Sequence, residues 1–233
     1  MIVAFDIISD LDLTSDIEFN FEGKATSLFC LIAGNISDDM IVLHHVLKHL
    51  STCYQGVFFI DGNLENLNLD TRDHRIQEIH NICSGYKNVV FLHNNVVVLD
   101  GLAIVGINGW YGNTLTLTDH DKYQAKCYKY EDMVYLEKTI EKLQIHPDVK
   151  KTIVVSNSVP TPELYYGESP EVEDITPLNY CIHKDTESKI DFWVFGSSKK
   201  IVDTVLYGVN YINNPPMGDN LSSYYPKRIQ LEI

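Results

Sequence analysis

Three apolar runs, each stopped by a small polar cluster, constrain this chain more than any other feature. Ile2 to Ile8 ends at Ser9-Asp10, Leu28 to Ala33 ends at Gly34-Asn35, and Gly56 to Ile60 ends at Asp61-Gly62-Asn63. Short β-branched runs with such punctuation read as buried strands that deliver polar residues at their C-terminal ends. Between the second and third, Met40, Val42, Leu43, Val46, Leu47 and Leu50 recur at helical spacing and predict a helix over 38–50, with Ser37 or Asp38 as N-cap. The alternation suggests βαβ units and a largely parallel sheet.

Further strands are predicted at 89–92, 96–99, 103–107, 152–156, 192–195 and 204–207, and further helices at 73–84 and 131–144. Asp100-Gly101 is a hairpin signal, because both residues tolerate positive φ. The segment 160–177, rich in proline and acid with Tyr165-Tyr166 inside it, reads as a long surface excursion. With 233 residues and 45% hydrophobic content, one domain over 1–233 is the expectation.

Composition narrows the partners. A formal charge of -14 opposes the phosphate backbone, so nucleic acid is a poor partner and a basic or neutral protein surface a better one. Five widely spaced cysteines without a Cys-x-x-Cys pair suggest reduced thiols. Neither an export signal nor a long apolar span is read, which points to a soluble, unprocessed cytoplasmic protein without membrane contact.

The polar clusters, in order, are Asp10-Leu11-Asp12, Gly34-Asn35-Ile36-Ser37-Asp38, Gly62-Asn63-Leu64-Glu65, Ser156-Asn157-Ser158-Val159-Pro160 and Gly196-Ser197-Ser198-Lys199. Their order and spacing resemble the calcineurin-like metallophosphoesterase superfamily: Asp-x-His, Gly-Asp-x-x-Asp, Gly-Asn-His-Asp/Glu, a strand-end His, and Gly-His-x-His. Asp70-Thr71-Arg72, the 106–110 segment and Asn213-Asn214-Pro215 extend the resemblance to bacterial members with a Thr-His-His-Ala-Pro motif. It implies an α/β fold, a four-layer αββα sandwich of two mixed β-sheets.

The departures from that pattern carry the functional expectation. In the family, two bridged metal ions activate the nucleophile, and the histidine of Gly-Asn-His donates a proton to the leaving group. Here Leu64 stands at the proton donor, and Asp12, Ser158 or Asn157 according to register, Ser197 and Lys199 stand where imidazoles would be. Asn35 replaces the bridging aspartate; Asp10, Asp38, Asn63 and Glu65 survive, with Asp38 and Glu65 in supporting positions.

The expectation is therefore a vestigial site without catalytic residues or metal, in a protein that binds another protein, with the Lys199 ammonium standing in for a metal between Asp10 and Asp12. The alternative is an active phosphoesterase or nuclease using one Mn or Mg ion held by Asp10 and Asp12, with Asn35 and Asn63. His44, His45 and His49 read as solvated helix-surface residues. Trp110-Tyr111, Tyr165-Tyr166 and Tyr224-Tyr225 read equally as a binding surface or as packing.

Overall fold

The computed structural model describes residues 1–15, 19–67, 69–110, 118–164, 190–198, 200–218 and 221–233. Strands β1 (Ile2–Ile8), β2 (Phe29–Ala33), β3 (Gly56–Ile60) and β4 (Val89–Phe91) run parallel, and β11 (Lys227–Glu232) pairs antiparallel with β1. This first sheet has the order β11-β1-β2-β3-β4. The second sheet joins β5 (Asn95–Leu99), β6 (Leu102–Ile107), β7 (Lys151–Ser156), β8 (Phe192–Phe195), β10 (Val209–Asn213) and β9 (Val202–Leu206), in that order. Its four central strands are parallel, and the two edges, β5 and β9, are antiparallel.

Alternation along the strands decides the layers, since successive side chains point to opposite faces. Phe5, Ile7, Leu31, Phe58 and Ile60 of the first sheet meet Ile104, Ile153, Val155, Val194 and Ile212 of the second in a core between the sheets. The opposite face of the first sheet buries α1 (Met40–Cys53) through Leu43, Val46, Leu47 and Leu50, and α2 (Arg72–Ser84) through Ile79. The outer face of the second sheet buries α3 (Asp119–Ile145) through Leu136, Ile140 and Leu143. The architecture is the four-layer αββα sandwich of two mixed sheets.

Several local expectations change. Asp39, not Ser37 or Asp38, caps α1 by accepting the Ile41 N–H at 2.8 Å; Ser37 Oγ instead donates to the Leu13 carbonyl at 2.7 Å. Helix α3 begins at Asp119 rather than near 131, because its first turns are fixed by a Thr118–Asp121 capping box and not by an apolar stripe. Strands β10 and β11 escaped the sequence reading: β11 buries only Ile229 and Leu231 in alternation with polar residues. The Asp100-Gly101 turn forms as expected (φ 46° and 92°), and Tyr207-Gly208 (φ 52° and 80°) makes the corresponding turn between β9 and β10. Among the described residues no helix is long and apolar enough to cross a membrane.

Candidate functional site

Five strand ends from both sheets converge at one edge of the sandwich. β1 contributes Ser9-Asp10, β2 Gly34-Asn35, β3 Asp61-Gly62-Asn63, β7 Asn157-Ser158, and β8 Gly196-Ser197. Carboxyl ends of strands are where open α/β sheets place ligands. The backbone there is locally strained: Asp10, Asp12, Asn35 and Ser197 hold φ of 52°, 46°, 55° and 56°. Glycine allows the loops to touch, because a Cβ on Gly62 would stand 2.2 Å from Asn35 Oδ1, and one on Gly196 would stand 2.4 Å from the Ala33 carbonyl.

The sequence-predicted residues meet in an amide and hydroxyl network. Asn35 Nδ2 donates to Asp10 Oδ1 at 2.9 Å and to Ser197 Oγ at 3.2 Å, while Asn35 Oδ1 accepts the Leu64 N–H at 3.0 Å. The Ser197 N–H also reaches Asp10 Oδ1, at 2.8 Å. Asn157 takes the strand-end position for which Ser158 was the other candidate: its Oδ1 accepts from the Asn63 N–H at 3.1 Å and Ser197 Oγ at 3.2 Å, and its Nδ2 donates to the Ala33 carbonyl at 3.0 Å. Three oxygens, Asp10 Oδ2, Asn63 Oδ1 and Ser158 Oγ, are buried without a hydrogen-bond partner among the described residues.

Glu65 is the structural anchor of the site. Its buried carboxylate accepts four backbone N–H groups, from Ile36 and Gly62 at 2.6 Å and from Asn35 and Ser37 at 3.1 Å. Burial pushes its pKa up to about 7 against the pull of those donors. Burial likewise lifts Asp10 to about 7, opposed by the Ser197 and Asn35 donors.

Asp12 and Asp38 correct the sequence reading. Both are exposed, so Asp10 and Asp12 are not a pair of buried carboxylates. Asp12 is tied in through its backbone N–H to the Asn35 carbonyl at 3.0 Å. Beside these groups lies a cleft of about 690 Å³, with Asp10, Asp12, Asn35 and Ser197 on one wall and Pro215 and Leu221 on another. Lys199, Tyr111, Tyr165-Tyr166 and 165–177 of the acidic excursion lie outside the described residues.

Other readings resolve individually. His49 is half-buried and accepts the Phe21 N–H through Nε2 at 3.1 Å, so it pins a loop rather than facing solvent; His44 and His45 are exposed. Trp110 and Tyr224 are buried, the latter donating its hydroxyl to the Asn214 carbonyl at 2.7 Å, whereas Tyr225 is exposed.

Sequence reasoning missed a second polar cluster behind the Gly62 loop. Fully buried Asp61 accepts from His93 Nδ1 at 2.9 Å and Asn66 Nδ2 at 2.6 Å. Burial would raise Asp61, but His93, Asn66 and Arg72 hold it below the ordinary carboxylate range. Burial would lower His93, but Asp61 holds it above the usual imidazole value. Asp132 of α3, also fully buried, accepts from Asn94 Nδ2 at 2.9 Å and the Gly109 N–H at 2.7 Å. The only signal in the sequence was an aspartate, Asp61, directly after an apolar strand; of its partners Asn66 lies in the same turn, while His93 follows β4 and Arg72 opens α2.

Among the described residues no group of three or more His, Cys, Asp or Glu side chains is placed to hold a metal ion. No protein-family model matches the chain, and no curated protein matches it. Solved structures do. A phosphopantetheinyl hydrolase from Mycobacterium tuberculosis aligns at 12% identity over 93% of this chain and 90% of its own, with a TM-score of 0.56. A Staphylococcus aureus protein provisionally named a 5′-nucleotidase aligns at 12% identity over 94% of this chain and 49% of its own, with a TM-score of 0.55. GAP50, the anchor in the inner membrane complex of Plasmodium, aligns at 11% identity over 91% and 71%, with a TM-score of 0.55. The chain shares the fold of these structures, the first two of them phosphoesterase-like.

Proposed function

We propose that this protein is a degenerate calcineurin-like phosphoesterase that has lost metal-assisted hydrolysis and works by binding another protein. The observation that carries the reading is the Asn35 side chain, whose Nδ2 donates to Asp10 Oδ1 at 2.9 Å. An amide N–H bonded to a carboxylate oxygen occupies the direction from which a cation would bind it. The Ser197 N–H takes the same oxygen.

The residues present do not fit a two-metal centre. One half-buried carboxylate, three amides and two hydroxyls lack the charged or imidazole ligands that hold divalent ions against water. The Leu64 side chain has no proton to transfer to a leaving group. In this reading the Lys199 ammonium offsets Asp10 and Asp12, and Lys199→Ala lowers stability while raising affinity for Mn. Chain charge favours a basic or neutral protein partner over nucleic acid. Cys30, Cys53, Cys83 and Cys127 are free thiols, which suits a cytosolic setting. GAP50, with its anchoring role, is a precedent within the same fold for work done by binding.

A second reading has one observation in its favour. The unpartnered oxygens of Asp10, Asn63 and Ser158 are donors suited to one hard cation such as Mn or Mg. Elemental analysis after incubation with manganese and removal of unbound ion separates the two readings. The expected result is near-zero metal and no phosphoesterase turnover above that of Asp10→Ala; about one metal per chain with Asp10-dependent turnover establishes the second reading.

A further inference from the structure

Arg72, the first residue of α2, is 6% exposed, yet its guanidinium faces no buried carboxylate on its Nε side. Its Nε has no acceptor among the described residues. The nearest carboxylate contact is with Asp73, exposed, 3.8 Å from Nη1. The buried carboxylates of Asp61 and Asp132 are each engaged by other donors on both oxygens. A buried guanidinium left in this state is costly unless an acceptor completes it.

A second buried donor stands beside it. Trp110 is 2% exposed, its ring centroid is 5.4 Å from the Arg72 guanidinium carbon, and its Nε1–H also lacks an acceptor among the described residues. Buried polar groups are normally satisfied, and two adjacent orphaned donors point to a missing acceptor. Tyr128 covers a face of the guanidinium at 3.9 Å, which leaves its in-plane edge for hydrogen bonding. On that edge Nε lies next to Nη2, which is 3.4 Å from His93 Nε2.

We infer that Arg72 and Trp110 form a seat for a small oxyanion, a carboxylate or a phosphate group, bound side-on to the Arg72 Nε–Nη2 edge and capped by the Trp110 N–H. The planar fork suits two acceptor oxygens of either chemistry. This seat is separate from the Asp10–Asn35 network and does not depend on the binding reading proposed for that network.

The two tryptophans provide the readout. Trp193 Nε1 already donates to Ser156 Oγ at 2.9 Å and serves as an internal reference. In ¹⁵N-labelled full-length protein, the two indole N–H resonances are followed during titration with inorganic phosphate, with formate, and with sodium chloride at matched ionic strength; Trp110→Phe assigns them. The expected result is a saturable shift of the Trp110 resonance alone, with half-saturation on the order of 1 mM, as a few charged hydrogen bonds provide. A response to formate only names a carboxylate ligand, and one to phosphate only names a phosphate group. Arg72→Lys, which keeps the charge and loses the fork, weakens the binding about tenfold. Shifts that stay linear, that follow chloride equally or that appear on both indoles overturn the inference and leave an ordered water as the acceptor. So does unchanged affinity in Arg72→Lys.

Discussion

The two polar clusters that flank the Gly62 loop are built on opposite principles. The Asp10–Asn35–Asn157–Ser197 network is mostly neutral and its donors are paired within it, so that the buried atoms left over are acceptor oxygens. The Asp61–His93–Arg72–Asp132 cluster keeps its charges and satisfies its acidic oxygens; left over are the Arg72 and Trp110 donors together with the amide oxygens of Asn66 and Asn94. The first is a neutral network with spare acceptor oxygens; the second is a charged framework with unspent N–H capacity. Charge in a buried site has to be matched or removed, and the two regions show one solution each.

The largest test of that contrast is Glu65→Ala. Four backbone N–H groups from two strand ends lose their acceptor, and urea denaturation should show a loss of about 4 kcal/mol. Next comes Asp61→Asn, which breaks the buried pair with His93 and should cost about 3 kcal/mol. It should also let the His93 pKa, followed by NMR, fall from its raised value.

The pH profile sharpens the comparison further. Burial raises both Asp10 and Glu65 to about 7, so between pH 4 and 7 the folded state holds protons that the unfolded chain has released. Stability contributed by these two groups is present in acid and is lost as the pH rises through about 7. A thermal unfolding series should show stability declining from pH 5 to pH 8, with the slope reduced in Asp10→Asn. Asp61 has the opposite sign: its lowered pKa contributes stability above the ordinary carboxylate range, lost as the pH falls through its own value.

The smallest effect is expected from Asn35→Asp. Replacing the amide returns a second carboxylate beside Asp10 and should cost about 1 kcal/mol at pH 8 by like-charge repulsion. Manganese should recover that loss in the variant and leave the parent protein unmoved. Recovery in neither protein would mean that more than the amide keeps a cation out.

Much of this site could be read along the chain, because strand ends announce themselves. An apolar run followed by glycine and a polar residue is a local pattern, and it located Asp10, Asn35, Asn63 and Ser197 together with the Glu65 support. The sequence could not distinguish Asn157 from Ser158, since a one-residue step reverses the direction of a side chain at a strand end. Nor could it tell that Asp12 and Asp38 are exposed, because spacing says nothing about exposure.

By itself, then, the sequence determined the alternation of strands and helices, the αββα layering implied by the family resemblance, and the near absence of charged ligands at the five motifs. Only the tertiary structure decided which amide faces which carboxylate, and that Asp61, Arg72, His93, Trp110 and Asp132 share one buried cluster. The physical reason is range. Periodicity and turn chemistry act over a few residues, whereas these groups come from β3, α2, the end of β4, the end of β6 and α3, and their common environment exists only once both sheets have packed.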